Sequence, residues 1–221
     1  MRYPLDRRSV VALGLGTFAA GCASSPPVRL HLLAVEPEGP LEGASRTAPL
    51  VLGVGPIEVV DYLERPELVT RRGRTRLALA ELDRWGERFE VMLGRVLRES
   101  LARLLATDAV IELPSDREVQ PDHRLAVQIL RFEAEEDGEV ELEARWQLFG
   151  RSGDRPLRLE RSVIAEPIEP GPGMEPVVAA MSRALARLAR TLAEAVLAAE
   201  RARATRRPTA ARPTAARPTD R

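Results

Sequence analysis

A strict two-residue alternation over residues 139–148 constrains this chain more than any other feature. Charged or amide side chains occupy every second position, and the positions between them hold Val140, Leu142, Ala144, Trp146 and Leu148. Because successive side chains of a strand point to opposite faces, the run predicts a strand with one buried and one polar face. The polar face indicates a sheet that is open to water or to a partner on one side.

Two neighbouring segments repeat this pattern. Before the run, the residues predicted to face inward are Leu125, Val127 and Ile129, and Asp137-Gly138 is typical of the turn between two such strands. After the run, a third strand is predicted with an inward face made of Leu157, Leu159, Val163 and Ala165. Shorter strands are expected at 30–35, 50–54 with a continuation over 57–62, 67–70, 74–79 and 110–113.

Apolar residues spaced three and four apart predict two long helices. The first is expected from about Leu79 to Leu105, on a stripe that begins Leu82, Trp85, Phe89, Met92 and Val96. The second follows a Pro/Gly-rich loop over 167–176, on a stripe made of Val178, Met181, Leu185, Leu188, Leu192 and Val196. The predicted fold is α+β, a mixed or antiparallel sheet with both helices packed on one face.

The N-terminus has the features of an export signal. Arginines at positions 2, 7 and 8 precede an apolar run over 10–20, which is about half the length that a bilayer-spanning helix needs. Small residues follow, and the next residue is Cys22. We therefore predict a lipoprotein signal peptide over 1–21, with Cys22 as the lipid attachment site. A twin-arginine route, suggested by Arg7-Arg8, is the alternative to general export.

The remaining chain divides by composition. Residues 22–49 are predicted as a lipidated N-terminus and stalk with a first strand, 50–205 as the folded domain, and 206–221 as a disordered Arg/Pro/Thr/Ala tail. The full chain is neutral, and without the leader and tail the body carries about six net negative charges. This charge argues against a nucleic-acid partner. Cys22 is the only cysteine, so no disulfide framework is expected.

Several blocks in the same order resemble a known family. They are the segments Gly53 to Arg71, Leu77 to Leu105, Ala144-Arg145-Trp146 and Ala180 to Leu185. Together they resemble the ABC-type transport auxiliary lipoproteins, the PqiC-like family. The resemblance implies an outer-membrane lipoprotein that faces the periplasm. It would act with an MCE-domain membrane protein and an associated transporter in moving phospholipid between membranes, without covalent chemistry or a cofactor.

The residues argue independently against an enzyme. The chain has no lysine, which excludes P-loop and Schiff-base mechanisms, and no Gly-x-Ser-x-Gly motif. His31 and His123 are its only imidazoles, and both are interpreted as surface or satisfied side chains. The acidic run over 133–137 is interpreted as a solvated turn. Gly53-Val-Gly55 is not taken as a dinucleotide motif, because Pro56 follows at once.

Tyr62, Leu63, Arg65 and Pro66 are the predicted partner contacts. Tyrosine and arginine are favoured at interfaces, and a proline between two strands suits an exposed edge or loop. The alternative is that Tyr62 and Leu63 simply complete the core. An assembly factor for an outer-membrane barrel and a lipid hydrolase are the competing functions. The lipid cargo, the direction of transport and homo-oligomerisation stay open.

Overall fold

The computed structural model describes residues 26–44, 50–115, 119–151, 153 and 155–206. Eight strands form one mixed sheet: β1 Arg29–His31, β2 Leu52–Val59, β3 Glu67–Arg72, β4 Arg76–Trp85, β5 Val110–Glu112, β6 His123–Ala134, β7 Glu139–Gly150 and β8 Arg158–Pro167. Two helices, α1 Phe89–Leu104 and α2 Glu175–Arg206, pack on the sheet. A 3-10 turn, Asp61–Leu63, links β2 to β3. The predicted α+β fold is confirmed.

Strand β6 organises the sheet. On one side it pairs along its length with β7, which continues antiparallel to β8. On the other side its first half pairs parallel with β2, and its last residue pairs with β3. Strand β5 extends the sheet beyond β2, while β4 and then β1 extend it beyond β3. The β3–β4 hairpin and β1 therefore form a wing beside the main sheet.

The core lies between the helices and the inward face of the sheet. All five apolar residues of the alternating run are at most 1 % exposed, as the sequence predicted. The predicted stripe of α2 is also buried throughout. Ala180, Ala184, Ala189 and Ala193 of α2 are fully buried, and such small side chains allow a helix to approach its neighbours closely.

The predicted start of the first helix was wrong. Residues 79–85 continue β4, and α1 begins at Phe89. Leu82 and Trp85 fit a helical spacing, but β4 is held by antiparallel pairing with β3 and parallel pairing with β1. These long-range hydrogen bonds override the local pattern. Trp85 is buried as expected, at the end of a strand, and stacks on Phe89 with ring centroids 5.0 Å apart.

The predicted inward face of β8 was also wrong. Leu159 and Val163 are 65 % and 56 % exposed, whereas Ile164 and Glu166 point inward. The register with β7 places Ser162 where its Oγ accepts a hydrogen bond from Trp146 Nε1 at 3.0 Å. Arg183 and Arg187 of α2 donate to the carbonyl oxygens of Pro167 and Ala165 at the edge of β8. Strand β8 has apolar residues on both faces, and these polar contacts determine which face points to the core.

Gly55 of β2 allows the segment after β5 to approach the strand closely. Gly55 has φ 141°, and a Cβ there would collide with the carbonyl oxygen of Leu113. The Leu113 N–H donates to Val54 O at 2.9 Å, which holds the segment after β5 against β2. A side chain at position 55 would separate the two segments.

None of the described helices is both long enough and apolar enough to cross a bilayer. The described residues also contain no group of His, Cys, Asp or Glu arranged to hold a metal ion. Cys22 and almost all of the predicted tail lie outside the described residues.

Candidate partner-binding surface

The predicted contact segment divides into a buried and an exposed part. Leu63 is 3 % exposed and joins the core, and Tyr62 is half-buried and packs against the core. Arg65 and Pro66 are exposed at the entrance to β3. The structure therefore favours a core role for Tyr62 and Leu63, and leaves Arg65 and Pro66 as candidates for contact with a partner.

Arg65 and Pro66 border a surface pocket of about 220 Å³. Its remaining lining residues are Glu64, which precedes Arg65, and a run from the end of β4 through the following loop to the start of α1: Trp85, Glu87, Arg88, Phe89 and Glu90. Trp85 N donates to Pro66 O at 2.7 Å, which fixes the rim of the pocket to the sheet. The pocket thus combines an aromatic base with a charged rim, a composition typical of interface anchors.

Arg65 forms no ion pair with any other residue in the described parts of the chain. Arg88, by contrast, pairs with Glu90 at 2.9 Å across the rim. An exposed arginine without an internal carboxylate is free to donate to a carboxylate of another protein. The rim therefore offers one available cation beside an aromatic pocket.

A buried carboxylate that the sequence analysis missed, Glu133, is hydrogen-bonded to the segment that contains Tyr62. Glu133 is 0 % exposed and accepts hydrogen bonds from Tyr62 Oη at 2.9 Å, Arg71 Nε at 2.7 Å and the N–H of Phe132 at 2.9 Å. Arg131 Nε lies 3.2 Å away. The prediction of a solvated acidic turn was thus wrong for Glu133. This carboxylate joins β6 to the 3-10 turn and to β3.

The electrostatics of Tyr62 and Arg71 are consistent with a structural role for this cluster. Burial and the neighbouring Glu133 charge raise the pKa of Tyr62, so its hydroxyl stays protonated and donates. Burial disfavours the charge on Arg71, but the hydrogen bond and negative charge of Glu133 outweigh this effect and raise the pKa of Arg71. The cluster is therefore a buried hydrogen-bonded network that holds the predicted contact segment in place.

The open face of the sheet carries a second, shallower concavity of about 580 Å³. It is lined on its polar side by Glu58, Gln128, Arg145, Gln147 and Arg161. Arg161 Nε donates to Glu143 at 2.8 Å, whereas Arg145 has no ion-pair partner among the described residues. This is the water-facing side that the alternating pattern predicted.

Both histidines are held by carboxylates. His123 Nε2 lies 2.7 Å from Glu200 Oε1, which joins β6 to α2, and His31 Nε2 lies 2.8 Å from Asp83 Oδ1. Arg29 donates to both oxygens of Asp83 at 2.7 Å. These contacts hold β1 against β4, so His31 and Asp83 stabilise the wing formed by β1 and the β3–β4 hairpin.

The Asp83 cluster predicts acid sensitivity. The Arg29 hydrogen bonds, opposed by burial and assisted by His31, lower the pKa of Asp83 from 3.8 to about 2. A carboxyl group whose pKa is lower in the folded than in the unfolded state stabilises the fold at pH values above its unfolded-state pKa. This stabilisation is lost as the pH falls through the folded-state pKa. Asp83→Asn should therefore lower the free energy of unfolding at pH 7, and the difference from the wild type should shrink between about pH 4 and pH 2.

Denaturant unfolding of both proteins at several pH values measures this difference. Glu139→Ala, at an exposed carboxylate that forms no ion pair among the described residues, is the control and should show no comparable pH dependence. A gap between wild type and Asp83→Asn that stays constant down to pH 2 would show that Asp83 is not a stabilising anion.

An α+β domain with two helices on one face of a mixed sheet, and charged side chains on the open face, is the class of protein that these features define. The family model of the ABC-type transport auxiliary lipoprotein component matches residues 31–193. The chain belongs to this family, which confirms the resemblance seen in the sequence. The family is one of transport auxiliary components and not an enzyme family.

Solved structures show the same fold. A Xanthomonas campestris protein of the DUF330 family aligns with a TM-score of 0.62 and 19 % identity, covering 81 % of this chain and 97 % of that one. A structure described as an uncharacterized protein aligns with a TM-score of 0.61 and 16 % identity, covering 77 % and 99 %. No curated protein matches the chain. At these identities the structural likeness shows the fold alone.

Proposed function

We propose that this chain is an outer-membrane lipoprotein that faces the periplasm and docks the other components of an intermembrane lipid transport system. In this proposal the lipid on Cys22 anchors it, and its protein partners are an MCE-domain membrane protein and the associated transporter. The cargo is phospholipid. The family match over residues 31–193, on a chain whose first 22 residues have the features of a lipoprotein signal, carries the proposal.

The shape of the surface favours docking over carrying lipid. Both concavities described above are open to solvent, and charged or amide side chains lie among the residues that line each of them. Acyl chains need an apolar enclosure of the kind seen in small-molecule sites. In this proposal the chain positions a partner at the membrane, with residues 50–205 as the docking domain, 22–49 as the lipidated N-terminus and stalk with the first strand, and 206–221 as a tail.

Mild-detergent purification of the mature lipoprotein from its own envelope tests the proposal. Mass spectrometry should find an MCE-domain protein and phospholipid with it. Recovery of a barrel protein alone would favour the assembly-factor alternative. A stable, acylated protein that brings down no partner would contradict the proposal.

Arg65 and Pro66 are the proposed partner contact, and charge reversal tests it. Arg65→Glu should cost about 2 kcal/mol of binding, roughly thirtyfold in affinity, because it places a carboxylate where the partner's acceptor would lie. Partner recovery should therefore fall sharply, with little change in the unfolding midpoint, since Arg65 is exposed.

The matched control is Arg76→Glu. Arg76 is also exposed, also without an ion pair among the described residues, and lies at the opposite end of β4 from Trp85. The control should recover the partner as well as the wild type. Equal loss in both variants would mean that net charge, and not the Arg65 pocket, governs binding.

A further inference from the structure

Strand β1 presents a row of exposed apolar side chains. Val28, Leu30 and Leu32 are 46 %, 69 % and 55 % exposed, and they alternate with Arg29 and His31. Because side chains alternate across an extended segment, the three apolar residues share one face. Leu33 then turns into the core at 3 % exposure.

This row is held rigidly. Strand β1 pairs parallel with β4, and both Arg29 and His31 bind the buried Asp83 on the opposite face. The N–H of Gly86 donates to His31 O at 2.9 Å, so the end of the strand is also fixed. The fold therefore keeps the apolar face directed outward, where it gains nothing from the core.

The row is also close to the predicted anchor. Val28 follows Cys22 by six positions, with five residues between them. A fully extended chain spans at most about 3.6 Å per residue, so the two positions lie within about 22 Å of each other. An acylated Cys22 therefore keeps β1 near the bilayer surface, whatever path the connecting residues take.

We infer that the face of β1 formed by Val28, Leu30 and Leu32 seats the domain on the phospholipid surface into which the acyl chains of Cys22 insert. The inference rests on the proposed lipid anchoring. Apolar side chains at a short tether from the lipid gain free energy by leaving water. Arg84, exposed and in register with Leu30, forms a long ion pair with Glu67 at 3.6 Å and keeps further guanidinium N–H groups that can donate to lipid phosphates.

The seating also orients the partner site. His31 pairs in register with Trp85, which lines the Arg65 pocket. A domain lying on β1 therefore holds this pocket close to the membrane, while the edge strand β8 lies on the other side of β6, beyond β7.

Single-cysteine labelling of the acylated full-length mature protein in phospholipid vesicles tests the inference. Lipidation consumes the thiol of Cys22, the only natural cysteine, so Leu30→Cys provides a unique site for a fluorophore. Leu159→Cys is the matched control, since Leu159 is 65 % exposed in the opposite edge strand. Quenching by spin-labelled acyl chains and by aqueous iodide is then compared.

The label at position 30 should be quenched by the lipid probe and protected from iodide, and the label at position 159 should behave in the opposite way. Equal iodide access at both positions would overturn the seating. Protection from iodide without lipid quenching would also overturn it, and would indicate a contact between protein copies.

The acylation state separates this outcome from a failure of the proposed anchoring. Mass spectrometry of Cys22 reports whether the lipid is attached. An unacylated chain that leaves the vesicles would contradict both the anchoring and the seating. An acylated, vesicle-bound chain whose position 30 stays in water would contradict the seating alone.

Discussion

Glu133→Ala should lower the free energy of unfolding by about 3–5 kcal/mol, the cost of removing one member of a buried ion pair. The change removes the more buried of the two carboxylates that Arg71 and Arg131 share, leaving them Glu135, and it deprives the Tyr62 hydroxyl and the N–H of Phe132 of an acceptor. Unsatisfied buried donors add to the cost. Guanidinium unfolding measures the loss.

Glu139→Ala is the matched control, because Glu139 is an exposed carboxylate on the neighbouring strand. It should change stability by no more than about 0.5 kcal/mol. Tyr62→Phe removes only one hydrogen bond and should cost about 1 kcal/mol in the wild type, but almost nothing once Glu133 is alanine. Similar costs for Glu133→Ala and Glu139→Ala would show that the cluster does not stabilise the fold.

Gly55→Ala should cost about 3 kcal/mol or more. The backbone conformation at φ 141° is nearly restricted to glycine, and the added Cβ would meet the Leu113 carbonyl, a backbone atom that cannot rotate away. The expected consequence is separation of β2 from the segment after β5, with loss of the Val54–Leu113 hydrogen bond. Denaturant unfolding and amide exchange at Leu113 measure both effects.

Gly138→Ala separates the conformational cost of a positive φ from the cost of the Cβ collision. Gly138 has φ 88°, but nothing lies within 4 Å of a Cβ built there. It should therefore lose only about 1–2 kcal/mol, the conformational cost without the collision. A Gly55→Ala protein as stable as Gly138→Ala would mean that the approach of Leu113 has no energetic importance.

The local hydrophobic pattern was sufficient to predict the elements that bury one face along their whole length. The five inward residues of β7 and the stripe of α2 follow from sequence, because each element buries one face along its whole length. The sheet with two helices on one face follows from the same observation. No long-range information was needed for these elements.

The pattern failed where contacts distant in sequence decide the structure. Leu82 and Trp85 satisfy a helical spacing, but pairing with β3 and β1 makes residues 79–85 a strand. Leu159 and Val163 look as apolar as Ile164, and contacts to Trp146 and α2 decide which of them face inward. These contacts are invisible in any short window of sequence.

Only part of the candidate site could be predicted from the sequence, because its other residues are brought together by contacts distant in sequence. A proline and an arginine between two strands correctly indicated an exposed segment at Arg65 and Pro66. The sequence did not reveal that Trp85 and Phe89 form the base of a pocket, because both had been assigned to one helical stripe. Glu133 was missed because a bulge between Ile129 and Arg131 shifts the alternation of β6, and because Tyr62 and Arg71 cover it.

Photo-crosslinking in the living cell from position 65 tests the proposed docking function most directly. A photoreactive residue replaces Arg65 in one strain and Arg76 in another, and the crosslinked proteins are identified by mass spectrometry. We predict an MCE-domain protein crosslinked from position 65 and not from position 76. Crosslinks from position 65 only to a barrel protein, or equal crosslinks from both positions, would contradict the docking account.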